Sequence, residues 1–350
     1  MHFQETGVYL MTFNRIGILR LSAIGDAVMV VPMIRVLQKN YPRAEITWII
    51  GRAAYSLLKG LSGVNFVVID KPNSLITYYK FKKQLKAYKF DVLFAMQASW
   101  RTNLMYPLIS AKRKIGFDKH RAKDLHGFFI KESIDFQKNH LLDNFMSFAL
   151  HIGAKKTAKL DWGLSIEQAN YTWLKSQIKK PYIAINPAAS KKERNWLIER
   201  YIELVKQITI KHPKLDIIFT GDLSDVEMVQ TIIDNTKATS LAGKTTLKQL
   251  AAMLDKAVCL IAPDTGPVHI ATAMNTPVIG LYAVITARLS GPYLSQELTI
   301  DKYQQAVREI SHKDPATIDW GHRVHSLDAM KLITVDDVLA KINKLFLTRY

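Results

Sequence analysis

The sequence predicts an α/β protein built from two doubly wound, Rossmann-like domains with parallel sheets. Three observations predict it. Short apolar runs bounded by turn residues alternate with helical stretches of 10 to 15 residues, the signature of parallel strands joined by crossover helices. The rhythm is then repeated in the second half, after a stretch poor in apolar residues. Finally, 350 residues exceed the ~250 to 300 at which a single core stops growing.

In chain order, the first-half strands are read in IGILRL, ITWII, FVVI, DVLFAM and KRKIGF, and the second-half strands in YIAIN, LDIIFTG, VCLIAP and PVIGLY. The first strand runs into a turn and then a helix expected to begin at Asp26. Pro32 falls inside that helix, so it is expected to kink or to start later. Residues 151–168 show no clear period, which places the linker near 155–175 and gives domains of 1–160 and 161–330. Val335, Val338, Leu339, Ile342, Leu345 and Phe346 follow helical spacing after Thr334, an N-cap with Asp337 three residues on. This closing helix, within 331–350, is expected to pack back on the first domain.

With 48% hydrophobic and 22% charged residues the chain is globular. No apolar run approaches the ~18 to 20 residues of a membrane span, and the N-terminus lacks a basic leader and an apolar core, so a cytoplasmic location is expected. Met11 offers an alternative start that would leave the first ten residues outside the fold. Cys259 is the single cysteine, which excludes an internal disulfide and a cysteine-based zinc site. The net charge of +18 points to polyanionic partners: nucleic acid, phosphorylated substrates or an anionic membrane face. Nothing in the composition sets an oligomeric state, and a monomer is the default.

Five stretches hold the candidate chemistry. In GILRLSAIGDAVMVVP the strand-to-helix turn carries Ser22, Gly25 and the acid Asp26 in place of Gly-x-Gly-x-x-Gly, which argues against a nicotinamide oxidoreductase. In APDTGPVHIATA a strand ends before Asp264, Thr265 and Gly266, and the following helix carries His269. Free N–H groups and partial positive charge at that helix start suit a diphosphate, although Asp264 and Thr265 are equally at home as simple caps. In INPAASKKERNW the small residues Ala189 and Ser190 leave room for a ligand, and Lys191, Lys192 and Arg194 offer phosphate-neutralising charge or a solvated helix start. Asp225, after Gly221, is placed for ribose hydroxyls or for capping, and Thr245 lies in a loop able to touch a nucleotide base.

The order and spacing of these motifs resemble the heptosyltransferase-type glycosyltransferases. The matching residues are Arg20-Leu-Ser-Ala-Ile-Gly-Asp26 with Pro32 downstream, Asn186-Pro-Ala-Ala-Ser190 with Arg194-Asn-Trp196, and Asp264-Thr-Gly-Pro-Val-His269. The resemblance implies a GT-B architecture with two domains facing across a cleft. It implies a donor nucleotide diphosphate sugar, ADP-heptose, held by the C-terminal domain, and a phosphorylated lipopolysaccharide inner-core glycolipid held by the N-terminal one. It also implies inversion by direct displacement with no cofactor and no obligatory metal, and Asp26 as the base that takes the acceptor proton. The sequence contains no Asp-x-Asp. It departs from the family pattern at Arg194, where a Lys is common. The basic clusters YYKFKKQLKAYKF and SAKRKIGFDKHRAK are expected to meet the acceptor and the inner membrane face, with Gln97, Arg101, Lys112 and Arg113 as acceptor contacts and no specific nucleic acid as partner. Two other readings stay open: a nucleotide-sugar epimerase or hydrolase on the same fold, and a non-catalytic polyanion binder.

Overall fold

The computed structural model describes residues 12–349; the reading of the first ten residues as an extension lies outside them. Strands β1 (Arg15–Leu19), β2 (Glu45–Gly51), β3 (Asn65–Ile69), β4 (Lys89–Ala95), β5 (Ser110–Gly116) and β6 (Glu132–Ser133) form one sheet in the order β3-β2-β1-β4-β5-β6. Strands β7 (Tyr182–Ile185), β8 (Asp216–Phe219), β9 (Thr239–Ser240), β10 (Cys259–Pro263), β11 (Val278–Tyr282) and β12 (Ile300–Asp301) form the second, in the order β12-β11-β10-β7-β8-β9. Every pairing is parallel. Each sheet thus reverses direction beside its first strand, between β1 and β4 and between β7 and β10. Such a switch point opens a crevice at the carboxyl ends of the strands.

The nine strands read from the sequence are all present. The additional ones, β6, β9 and β12, are two-residue edge strands, too short to carry a pattern.

The helix Ile24–Asn40 starts two residues before the expected position and runs unbroken through Pro32. Proline removes the donor that would serve the Val28 carbonyl, but Ala27 through Ile34 are all buried, and that packing holds the helix where propensity alone would break it. The same helix packs against Leu141–His151 on its own side and against Gly266–Ala273 of the other half, so it lies at the centre of the molecule. Further links join the halves. Lys248, buried on the Leu247–Lys256 helix, donates to the carbonyls of Lys59, at 3.1 Å, and Ser165. The Tyr293 hydroxyl donates to Asp143 at 3.0 Å. His140 donates through Nε2 to the Gly291 carbonyl at 2.9 Å, while its Nδ1 accepts the Leu142 N–H. The segment read as linker is packed too, with Trp162 buried and its carbonyl, like that of Gly163, accepting from Arg35.

Among the described residues the closing helix Val335–Arg349 packs on the second half rather than back on the first. Val335, Val338, Leu339, Ile342 and Leu345 fill the core of the second half, against the Ile198–Lys211 helix. Its approach is fixed by the Ile333 carbonyl, which accepts from Trp196 Nε1 at 3.0 Å and from Arg200.

Candidate active site

Where β1 leaves its sheet, the turn delivers Asp26 as the third residue of the Ile24–Asn40 helix. Its Oδ2 accepts the Ala23 N–H at 3.3 Å and is ion-paired with Nη2 of Arg20. Arg20 is itself held: Nη1 donates to the Met96 carbonyl at 2.5 Å, and the guanidinium lies over the Phe145 ring at 5.2 Å. The Asp26 carboxylate, 25% exposed, is therefore a fixed acceptor at the cleft wall.

The second half meets it with the turn after β10. Asp264 is paired with Arg194 at 2.9 Å and accepts from the Ser290 hydroxyl at 3.2 Å, so its carboxylate joins the loop after β7 to the one after β11. Burial pushes the Asp264 carboxyl above the ordinary range, with Arg194 opposing. The simple capping reading fails for this helix. Thr265 occupies the N-cap without a side-chain hydrogen bond, and the Asp264 carboxylate is committed elsewhere, so the first N–H groups of Gly266–Ala273 meet no side-chain cap. Burial, with His140 adding to it, pulls His269 down to about 4, so its ring is neutral near pH 7.

The two helix starts nearly touch. A Cβ placed on Gly25 would sit 2.5 Å from His269 Cδ2 and 3.4 Å from the Gly266 Cα, so only glycine allows this approach. Around the contact opens a cavity of about 1260 Å³.

The expected donor residues Ala189, Ser190, Lys192, Arg194, Asp225, Thr245, Asp264, Thr265, Gly266 and His269 all line that cavity, as do Gly25 and Asp26. Lys191 and Ser22 do not. Asp225 plays the capping part as well, its Oδ2 accepting the Asp222 N–H at 2.8 Å, and burial raises its carboxyl.

The expected acceptor residues fare differently. Lys112 and Arg113 lie on β5 away from the cleft, where Lys112 pairs with Asp91 at 2.8 Å and Arg113 with Glu132 at 2.5 Å. Gln97 is buried, and its Oε1 accepts the Leu21 N–H at 2.8 Å, so it shapes the first turn from behind. Arg101, on the short helix Trp100–Asn103 that follows β4, is exposed and does not line the cavity.

Several groups at the site were given no role from the sequence. Arg20, read in the first strand and named only as the start of a motif, holds Asp26. Thr220 lines the cavity with a buried hydroxyl that has no partner among the described residues, and Nε of Arg194 is similarly unpaired. Arg323 lines the same space from a segment far along the chain and carried no motif. Among the described residues no three His, Cys, Asp or Glu side chains converge as a metal-ligating group.

Two Rossmann-like halves facing across a cleft, with a carboxylate on one wall and an uncapped helix start on the other, define an enzyme of GT-B architecture. The comparisons with known proteins agree. The family model described as glycosyltransferase family 9 (heptosyltransferase) matches residues 78–316, and the chain belongs to that family. The lipopolysaccharide core heptosyltransferase OpsX of Haemophilus influenzae is 34% identical over 335 residues, covering 94% of this chain and 96% of that protein. Among solved structures, a family 9 glycosyltransferase from Veillonella parvula superposes with a TM-score of 0.79 at 19% identity, covering 97% of this chain and 99% of its own. The Escherichia coli heptosyltransferase WaaC with ADP superposes with a TM-score of 0.72 at 17% identity, covering 95% and 99%. At those identities the two structures establish the fold.

Proposed function

We propose that this glycosyltransferase moves a heptose from ADP-heptose to a lipopolysaccharide inner-core acceptor, with inversion at the anomeric carbon. The observation that carries this reading is the opposition of Asp26 to the Thr265–Gly266 helix start across one cavity. Base and leaving-group site then stand on opposite sides of a sugar bound between them. The donor diphosphate rests on the helix start, with Arg194 and Lys192 meeting its charge and Thr220 and Asp225 turned to the nucleoside. The acceptor hydroxyl attacks the anomeric carbon from the Asp26 side. As its oxygen forms the new glycosidic bond, the bond to the diphosphate oxygen breaks, the nucleoside diphosphate leaves with the electron pair, and the hydroxyl proton passes to Asp26.

An aspartate is a weak base. It suffices when the sugar–phosphate bond breaks early, because the cationic sugar then acidifies the incoming hydroxyl and proton transfer comes late. Arg20 pairs with the Asp26 carboxylate and holds it aimed into the cleft. Leaving-group charge is met by groups fixed beforehand: Arg194 is oriented by Asp264, and Asp264 by Ser290. This chemistry asks for no obligatory metal. The acceptor is lipid-borne, so the enzyme works at the cytoplasmic face of the membrane that carries it. No helix among the described residues is long and apolar enough to cross a membrane.

Thermal unfolding with a panel of nucleotide diphosphate sugars tests the donor, because a matched donor raises the midpoint by mass action. Transfer from the stabilising donor to heptose-deficient core glycolipid tests the reaction. Stabilisation by UDP-sugars with indifference to ADP-heptose overturns the donor assignment.

A further inference from the structure

Three successive connections on the first sheet each leave large apolar side chains in solvent. After β3, the helix Leu75–Gln84 packs through Tyr78, Phe81 and Leu85, while Leu75, Ile76 and Tyr79 stand 88%, 67% and 67% exposed. After β4, Trp100 is 51% exposed, and after β5, Leu125 and Phe128 are 64% and 72% exposed. Single exposed apolar residues are ordinary; six from three loops at the end of the sheet where Asp26 sits are a surface.

The three loops are tied together. The Tyr78 hydroxyl donates to the Arg101 carbonyl at 2.8 Å, and the Trp100 N–H to Asp124 at 2.9 Å. Asn103, buried, donates to the carbonyls of Lys123 and Asp124 at 3.0 and 2.7 Å and accepts from His126 Nδ1 at 2.9 Å. That polar knot fixes Leu125 in the left-handed region, at φ 63°, with its side chain outward. The apolar residues are thus presented on a held frame.

Charge says what they meet. Residues 71–90 contain six lysines and no acid. Lys71, Lys80, Lys82 and Lys83 surround the exposed face of that helix, and Lys123 and Lys131 flank Leu125 and Phe128, with Lys131 over the Phe128 ring at 5.5 Å. Apolar tips among lysines that form no ion pair among the described residues match a bilayer interface: acyl chains receive the tips and anionic headgroups the ammonium groups.

We propose that this rim is a membrane-docking surface for anionic phospholipid, seating Leu75, Ile76, Tyr79, Trp100, Leu125 and Phe128 at the headgroup boundary and turning the open cleft toward the lipid. It rests on the lipid-borne acceptor of the proposed function for its purpose, but its test does not.

The full chain is sedimented with vesicles of phosphatidylcholine alone and with phosphatidylglycerol added. The wild type is expected to bind the anionic vesicles with a steep salt dependence, and the variant carrying Leu75→Ser, Ile76→Ser and Tyr79→Ser to bind about tenfold or more weakly. These side chains make no core contact, so the variant keeps its unfolding midpoint. Trp100 fluorescence, isolated by difference against Trp100→Phe, is expected to be quenched by lipids brominated high on the acyl chain. Undiminished binding by the triple variant, no binding by the wild type, or burial of the patch in a dimer on analytical ultracentrifugation overturns the proposal. Turnover of a delipidated acceptor is expected to stay unchanged in the triple variant. Loss of turnover with every heptose donor while vesicle binding persists counts against the transfer reading and leaves the docking surface standing.

Discussion

Replacing Gly25 by alanine isolates the contact on which the cleft geometry depends. The new Cβ meets His269 Cδ2 at 2.5 Å, where ordinary carbon contacts lie at about 3.5 to 4.0 Å, so the two helix starts must separate by about 1 Å. The His269 ring is buried and has little room to swing aside. Overpacking of this kind costs about 1 to 3 kcal/mol of stability. The effect on turnover is the more telling, because a misplacement of 1 Å between reacting groups costs on the order of 10²-fold, or about 2.7 kcal/mol in the barrier. Steady-state kinetics should therefore show kcat/KM lowered about a hundredfold, with an unfolding midpoint only a few degrees down and donor affinity within a few-fold. Gly127→Ala serves as the control, since a Cβ there meets nothing within 4 Å. If Gly25→Ala turns over within twofold of wild type, the two helix starts do not set the distance between base and diphosphate, and the proposed opposition across the cavity is wrong.

Asp26→Asn should lose transfer by three orders of magnitude or more while donor protection against unfolding is retained; near-normal turnover removes the base assignment. Asp264→Ala strips a buried pair to a lone Arg194, so stability should fall by about 3 to 5 kcal/mol and donor binding should weaken together in denaturant and titration experiments. His126 and His269 are both drawn down to about 4 in the fold, whereas the unfolded chain titrates near 6.5, so below that value the unfolded state binds more protons. Stability should be full above about pH 6.5 and decline toward pH 4, with Asp264, raised by burial, acting in the opposite sense. His126→Asn should flatten this decline in urea titrations across that range. Transfer assayed with EDTA should match transfer without it, and loss restored by a divalent cation refutes the metal-free reading.

Parallel strands buried on both faces read as near-continuous apolar runs, so the two-sheet fold was legible in this sequence. The edge strands β6, β9 and β12 were not, because two residues carry no period. Pro32 misled as to the start of its helix, which begins earlier than expected and continues through the proline under its burial. The second-half lining of the cavity was legible because its residues follow strand ends within short motifs. Lys112 and Arg113 lie outside the cavity lining, which a run of cations could not reveal because it says nothing about which end of a strand it faces, and their partners Asp91 and Glu132 lie 21 and 19 residues away. For the closing helix the apolar stripe announced burial but not against which half, a choice made by hydrogen bonds to Ile333 from Trp196 and Arg200.

Those bonds have a consequence for anyone trimming the chain. Because the Ile333 carbonyl anchors the far end of the loop that carries Arg194, the tail acts as a splint for that loop from outside the cavity. A stop codon shortly before residue 333 would spare every strand of both sheets yet leave that loop unbraced and strip Val335, Val338, Leu339, Ile342 and Leu345 from the second core, so such a product should lose stability along with the shape of the loop.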